Sequence, residues 1–273
     1  MWRGIRAFFR LARVGMHLAW GAATVAVVYP WIDVRPRRAL KRRWSRQLLE
    51  MLGVRLELGT GRSAPPAGLI VCNHISWLDV FVINAAVPAA FVCKSEVMSW
   101  PLIGWLCRHT ETIFLERGSR TAAQKTRRAI CDELRAGVHV AVFPEGTTTT
   151  GERVLPFHAA VFQSAIDARS VVIPVALRYI GRRGDISRAP AYVGDVTLWR
   201  TLWAIACAEG LIADLRILAP VASEARERRE LAADCHAAIV WHIGNQGFAT
   251  PAVETAGTTE ASEIFMPAFA EEP

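Results

Sequence analysis

The segment Gly68-Leu69-Ile70-Val71-Cys72-Asn73-His74-Ile75-Ser76-Trp77-Leu78-Asp79 opens as a short apolar run and closes as a polar turn. An apolar run of that length, bounded by turn residues, reads as a buried strand. A histidine at a strand end with a carboxylate five residues on is able to remove a proton from a hydroxyl. On a continuous helix, residues five apart point about 140° away from each other. His74 and Asp79 therefore converge only if His74 precedes the helix. Ser76-x-x-Asp79 predicts that start, with Ser76 as N-cap and Asp79 at N3 of a capping box. From N3 the carboxylate reaches back toward the loop, where it fixes the imidazole tautomer and stabilises the imidazolium. The same residues also suit a structural histidine beside an ordinary capped helix.

Three other blocks narrow the choice. Val138 to Phe143 is a second apolar strand, and it runs into Pro144-Glu145-Gly146-Thr147-Thr148-Thr149-Thr150-Gly151. A carboxylate, a glycine and four hydroxyls at a strand terminus make a polar pocket with orientable backbone N–H groups. Ile113-Phe114-Leu115-Glu116-Arg117 delivers a permanent cation, and Val171 to Leu177 is apolar except for Pro174, which predicts a strand edge or a bulge. Strands are expected near 55–58, 68–72, 90–93, 111–115, 138–143, 171–177 and 215–218. They alternate with helices near 76–86, 101–108, 120–136 and 157–167, and a last helix covers 223–245. That alternation predicts an α/β fold, a mostly parallel sheet flanked by helices.

In order and spacing, the four blocks resemble the glycerolipid acyltransferase family, its bacterial 1-acylglycerol-3-phosphate acyltransferases in particular. His74 and Asp79 match the family's His-x4-Asp motif, and Phe114 to Arg117 its Phe-x-x-Arg block. Phe143 to Thr147 match Phe-Pro-Glu-Gly-Thr, and Ile173 to Val175 match Ile-Pro-Val. Lys94 looks like the family's basic residue downstream of the histidine. The resemblance covers roughly residues 68 to 178. Two positions depart from it: Thr148 stands where members often carry Arg, and Glu111 where they often carry Gly.

Outside those blocks, charge separates the chain. Residues 1–46 hold ten Arg and one Lys against Asp33 alone, a net +10, while the whole chain is +7. The remainder is thus slightly acidic, and the basic residues flank an apolar run, which excludes the groove of a nucleic-acid-binding protein. That run, Val14 to Ile32, is 19 residues without formal charge, near the lower limit for a spanning helix. Both flanks are basic, which a single span cannot reconcile with the positive-inside rule. Leu40, Trp44, Leu48 and Leu52 then form an apolar stripe opposed by Arg and Lys, an interfacial amphipathic pattern. The expected arrangement is an N-terminal membrane-associated helical segment, 1–46, seated on the cytoplasmic face of the inner membrane, monotopic or single-pass. Residues 47–246 form the catalytic domain, and 247–273 an acidic tail expected to be disordered. Trp199 and Trp203, and the segment from Met98 to Cys107, read as core more readily than as acyl-chain groove. The six cysteines show no metal-ligand spacing and read as free thiols in a reducing compartment. No metal and no cofactor are called for.

The resemblance implies a reaction. His74, oriented by Asp79, deprotonates the free hydroxyl of a lysophospholipid, which attacks the thioester of acyl-CoA or acyl carrier protein. Glu145, Gly146 and Thr147 position the acceptor's polar head, and Arg117 and Lys94 take its phosphate. Arg178, Arg182, Arg183 and Arg188 could meet the donor's phosphates or the headgroup layer, and read more readily as a solvated loop. Lyso-ornithine lipid is an alternative acceptor, kept open by Thr148, and thioester hydrolysis is an alternative reaction.

Overall fold

A computed structural model describes residues 2–59, 65–115 and 120–244; for Lys94, Glu96 and Arg120 it describes the backbone only. Arg117 and the acidic tail lie outside the described residues. The chain begins with α1 (Trp2–Val27) and α2 (Val34–Leu52), followed by β1 (Val54–Leu58), β2 (Gly68–Cys72), α3 (Asp79–Ala86) and β3 (Ala90–Lys94). Next come α4 (Ile103–His109), β4 (Ile113–Leu115), α5 (Arg120–Arg135), β5 (Val140–Val142), α6 (Gln163–Ala168) and β6 (Val171–Ile180). The last elements are α7 (Leu198–Cys207), β7 (Leu211–Ile217) and α8 (Arg228–Gly244).

Seven strands form one sheet in the order β1-β7-β6-β2-β5-β3-β4. Every neighbouring pair is parallel except β6 and β7. β2, which leads into His74, is central and buried on both faces. Its alternation divides the molecule: Ile70 and Cys72 face one core with α2 and α3, while Leu69 and Val71 face another built by α5, α6 and α8. Each such side chain adds about 1.5–3 kcal/mol of burial free energy, which fixes the register of β2.

Pro174 is not at an edge. β6 lies between β2 and β7, and Val71 is the register partner of Pro174. The irregularity is in the chain leaving β7. Leu218 N–H donates to Pro174 O, and the next pairing is Val172 with Val221. Between these pairs one residue on β6, Ile173, faces two on the other side, Ala219 and Pro220, a bulge beside a residue that has no N–H to offer.

The helical hairpin also departs from expectation. The stripe expected to face lipid is turned inward: Leu48 and Leu52 are buried in the core that also holds α3, and Trp44 packs against it. α3 and the sheet supply the apolar partner that a membrane would otherwise provide. Several of the Arg residues expected on headgroups are consumed in the same way. Arg42 and Arg46 donate to Ala85 O near the C-terminus of α3, and Arg38 and Lys41 hold Glu111 at 2.8 and 3.0 Å. Glu111 has φ +60°, the left-handed conformation that suits a glycine, and its carboxylate anchors α2 to the turn before β4.

α1 lies over α2 and α7 with Ala7, Val14, His17, Gly21 and Val25 buried, a stripe along its length. His17 stacks on Trp44 and Nε2 contacts Trp44 O at 3.0 Å, while the Trp44 indole N–H donates to His17 O. A Cβ at Gly21 would sit 2.5 Å from Trp44 Nε1, so this crossing requires glycine. Arg10 donates to Ala206 O and Ala208 O at the end of α7. The outer face of α1 is apolar and uncovered: Phe8, Phe9, Met16, Trp20 (70 % exposed) and Val27 are on it, with Trp31 (86 %) just beyond.

Candidate active site

The sheet's central strand ends at Cys72, and the next seven residues turn tightly enough to bring His74 back onto Asp79. His74 Nδ1 lies 2.8 Å from Asp79 Oδ2. The same oxygen accepts the backbone N–H of Ile75 (2.7 Å) and of Ser76 (2.9 Å). The carboxylate arm of the capping box is therefore made. Its other arm is not: Ser76 Oγ accepts from Leu78 N–H, and regular helix begins at Asp79 rather than beside Ser76. An additional turn, closed by Asp79 N–H to Ser76 O, lies between them. Asp79 is fully buried at the first residue of α3, where the helix end favours an anion. Its Oδ1 accepts the hydroxyl of Tyr179, on β6, at 2.8 Å.

A carboxylate that only accepts leaves the proton of the neutral imidazole on Nδ1 and a lone pair on Nε2. No described residue bonds Nε2, and the side chain is 17 % exposed, so the basic nitrogen is the one that solvent or substrate reaches. Phe143 stacks on the ring at 3.9 Å between centroids and 10° between planes. His74 is held through its backbone as well. Its N–H donates to Glu145 Oε1 at 2.7 Å, and its carbonyl accepts Thr149 N–H at 2.8 Å. Asn73 is paired twice with Leu177 of β6, through its side-chain oxygen and its amide nitrogen, extending the β2–β6 pairing into the loop.

Glu145 is held by the protein's own backbone. It is buried, and both carboxylate oxygens are occupied: Oε1 by His74 N–H and Oε2 by Leu155 N–H at 2.7 Å. It braces the loop that carries the histidine against the loop that follows β5. Burial pushes its carboxyl up to about 7, against the two backbone N–H groups that favour the anion. Gly146, at φ +73°, donates its N–H to Phe143 O and so has none free. Thr147 is exposed, and among the described residues the N–H groups of Thr147 and Thr148 have no partner. Thr148 Oγ1 donates to Tyr192 O, and Tyr192 N–H donates to Ile75 O. The hydroxyl at the position where a phosphate-binding Arg is often found is thereby tied to a neighbouring loop.

The expected cations are distributed differently. Lys94 closes β3 opposite Leu115, and Arg117 lies beyond the described end of β4. Arg178 is buried on Asp214 at 2.5 Å, on the face of β6 away from Tyr179, and cannot meet a phosphate. Arg188 pairs with Glu152, and Arg182 is 3.6 Å from Glu209. Cys72 is buried and desolvation pushes its thiol well up, which removes it as a nucleophile. Tyr179 and the Asn73 clamp escaped the sequence reading because their partners lie about a hundred residues away. Only the position of Asn73 immediately before the histidine hinted at either.

A helix-flanked, mostly parallel sheet with a His–Asp pair at the end of its central strand defines an acyltransferase-type domain, and comparison with known proteins agrees. The family model described as Acyltransferase matches residues 59–178. A lyso-ornithine lipid O-acyltransferase of Pseudomonas aeruginosa is 34% identical over 242 residues, covering 86% of this chain and 92% of that protein. This chain belongs to the acyltransferase family. A 1-acyl-sn-glycerol-3-phosphate acyltransferase of Neisseria meningitidis is 42% identical over 161 residues, 59% of this chain. That match spans 63% of the Neisseria protein, less than two thirds of its length. The crystal structure of the 1-acyl-sn-glycerophosphate acyltransferase from Thermotoga maritima shares the fold, with a TM-score of 0.61 at 18% identity over 88% of this chain and 99% of that one.

Proposed function

We propose that the protein transfers an acyl group from a thioester, carried by CoA or acyl carrier protein, to the free hydroxyl of a lysolipid at a membrane surface. The observation that carries this reading is the open Nε2 of an imidazole whose Nδ1 is fixed on a buried carboxylate. His74 takes the hydroxyl proton as the oxygen attacks the thioester carbonyl, and the thiolate leaves. No acyl-enzyme is needed, because the bound hydroxyl is the nucleophile and Cys72 is sealed away. The unpaired N–H groups of Thr147 and Thr148 are donors available to the polar head or to the developing oxyanion.

The acceptor we propose is 1-acylglycerol-3-phosphate, giving phosphatidic acid, with Arg117 and Lys94 as the cations for its phosphate. Two observations favour a second reading, lyso-ornithine lipid. Thr148 is bonded to Tyr192 rather than offering charge, and the lyso-ornithine relative aligns over most of the chain. The seat on the membrane is the outer face of α1, continued across α7 by Trp199 (63 % exposed) and Trp203. We place this face on the inner membrane from the cytoplasmic side, α1 lying in the interface, because its inner stripe is already covered by protein along its length.

The test is an assay of purified protein in mixed micelles with labelled acyl-CoA or acyl carrier protein, against a panel containing both lysolipids and no acceptor. Acylation of the phosphate-bearing lipid, lost selectively in Arg117→Ala, supports the first reading. Acylation of lyso-ornithine lipid alone supports the second. Release of free fatty acid at the same rate without acceptor overturns both in favour of a hydrolase.

A further inference from the structure

Asp79 is fully buried, and its two oxygens are used unequally. Oδ2 takes three donors, the His74 ring and the N–H groups of Ile75 and Ser76. Oδ1 takes one, the Tyr179 hydroxyl, and no other donor reaches it among the described residues. Tyr179 is itself buried, one residue from the end of the β6–β7 pairing and opposite Ala213. Its place is set from two sides. Ser187 N–H donates to its carbonyl, and two residues earlier Leu177 is clamped to Asn73, the residue before the histidine. One strand therefore carries both the clamp that fixes the start of the loop and the hydroxyl that meets its end.

We propose that Tyr179 is a positioning residue for the His74–Asp79 pair: its hydroxyl holds Oδ1 so that Oδ2 alone faces the imidazole, and it shares the carboxylate's charge. The inference deepens the function proposed above and rests on His74 being the base. Two consequences follow from the geometry. A carboxylate with donors on one oxygen only can rotate about its Cβ–Cγ bond, whereas donors on both oxygens pin it. A charge shared with a phenol O–H pulls less strongly on the imidazole proton, so the His74–Asp79 hydrogen bond is weaker than it would be without Tyr179. The phenol remains the donor throughout: burial and the adjacent Asp79 push its ionisation well up, so no proton passes to the carboxylate.

The titratable groups around the pair are few among the described residues. Cys72 on β2 and Glu145 beyond β5 act on Asp79 or on Tyr179 through space. Arg42 and Arg46 of α2 meet α3 at Ala85, its far end. None of these bonds Oδ1.

The test compares wild type, Tyr179→Phe, His74→Ala and a core control, Leu231→Val, in the second core beneath α8. In Tyr179→Phe, kcat should fall roughly tenfold, as expected when one hydrogen bond to a buried charge is lost, with KM for both substrates unchanged. The acid limb of the kcat/KM profile should move to higher pH, and the downfield Nδ1–H proton resonance of His74 should shift further downfield. A fluorinated tyrosine at 179, a stronger donor of the same shape, should move the resonance the opposite way; it also serves if the phenylalanine variant folds poorly. Leu231→Val should move neither the profile nor the resonance. An unchanged resonance and profile in Tyr179→Phe, or an equal change in the control, would overturn the inference. Activity surviving in His74→Ala would instead overturn the base assignment, and the resonance would still report whether Tyr179 acts on the pair.

Discussion

The loop after β2 and the N-terminal hairpin are both rich in polar groups beside apolar surface, yet they spend those groups differently. In the loop nearly every donor and acceptor is matched within the protein: Asn73 on Leu177, Asp79 on four donors, Glu145 on two, and His74 through its N–H, its carbonyl and Nδ1. Among the described residues two side-chain nitrogens of this loop are left over, the buried indole N–H of Trp77 and Nε2 of His74, and of these Nε2 is the basic one. In the hairpin the inner faces are matched by Trp44 and His17, by Arg38 and Lys41 on Glu111 and by Arg10 on α7, while the outer face of α1 is left uncovered among the described residues. The loop isolates a single reactive atom, and the hairpin isolates a whole apolar face. The first suits chemistry and the second adsorption, and each is identified by what its surroundings leave unsatisfied.

The sharpest way to break this contrast is at the isolated atom. His74→Ala should lower acyl transfer by about 10³-fold or more, the range of a lost general base, with only about 1 kcal/mol lost in stability. Asp79→Asn should lose comparable activity and destabilise more, by about 2–4 kcal/mol, because an amide N–H₂ must face N–H or O–H donors in a site that water does not reach. Turnover assays with urea melts separate the two. If the asparagine variant is as stable as wild type, the donor count around Asp79 is wrong.

Glu145 tests whether the loop's bracing carries an electrostatic cost. Its carboxyl is raised to about 7 from the usual 4.5, so the folded protein holds a proton that the unfolded chain releases earlier. Stability from this group is present in full below about pH 4.5 and is lost as pH rises through about 7, where the difference is about 3 kcal/mol. Glu145→Gln should remove that slope. Melts at pH 5 and pH 8 should show wild type losing stability relative to the variant as pH rises. Parallel curves would mean that Glu145 is not desolvated in the way its surroundings imply.

The legibility of the sequence follows the same division. The strands and the His74–Asp79 convergence were readable because they depend on spacings of a few residues, where helix and strand periodicity determine direction. Where the side chains of Glu145 and Arg178 turn is not set by spacing, because it is decided by partners far along the chain, His74 and Asp214. The stripe Leu40, Trp44, Leu48, Leu52 was visible as a stripe. Periodicity says that a face is apolar and not whether protein or lipid covers it, and this stripe is covered by α3 and the sheet. Trp199 and Trp203 run in the opposite sense: their spacing reads as core, and both are exposed.

The outer face of α1 offers the next comparison. Trp20→Ser should weaken partition onto vesicles by about 2 kcal/mol, the order of one large aromatic withdrawn from lipid, and leave the melting temperature unchanged. Trp203→Ser on α7 should do the same if the two helices share one membrane face. Co-sedimentation with vesicles at fixed lipid concentration measures both. Loss of partition in the α1 variant alone would confine the seat to that helix.

The smallest effects separate arginines that look alike in the sequence. Arg38 and Arg43 are both on α2, five residues apart, and both were candidates for anionic headgroups. Arg38 is committed: its guanidinium holds Glu111 at 2.8 Å, and Glu111 sits at a left-handed position that gains from being anchored. Arg43 is exposed and has no partner among the described residues. Arg43→Ala should therefore weaken binding to anionic vesicles by about 1 kcal/mol, an effect that fades as salt is added, and should not change stability. Arg38→Ala should show the reverse, about 1 kcal/mol lost in stability with little change in vesicle binding, because its charge is already answered inside the protein. If both variants lose vesicle affinity equally at low salt, α2 presents its charges to the membrane as a row. The division between an inner face matched by protein and an outer face left for lipid would then fail for charge even where it holds for apolar surface.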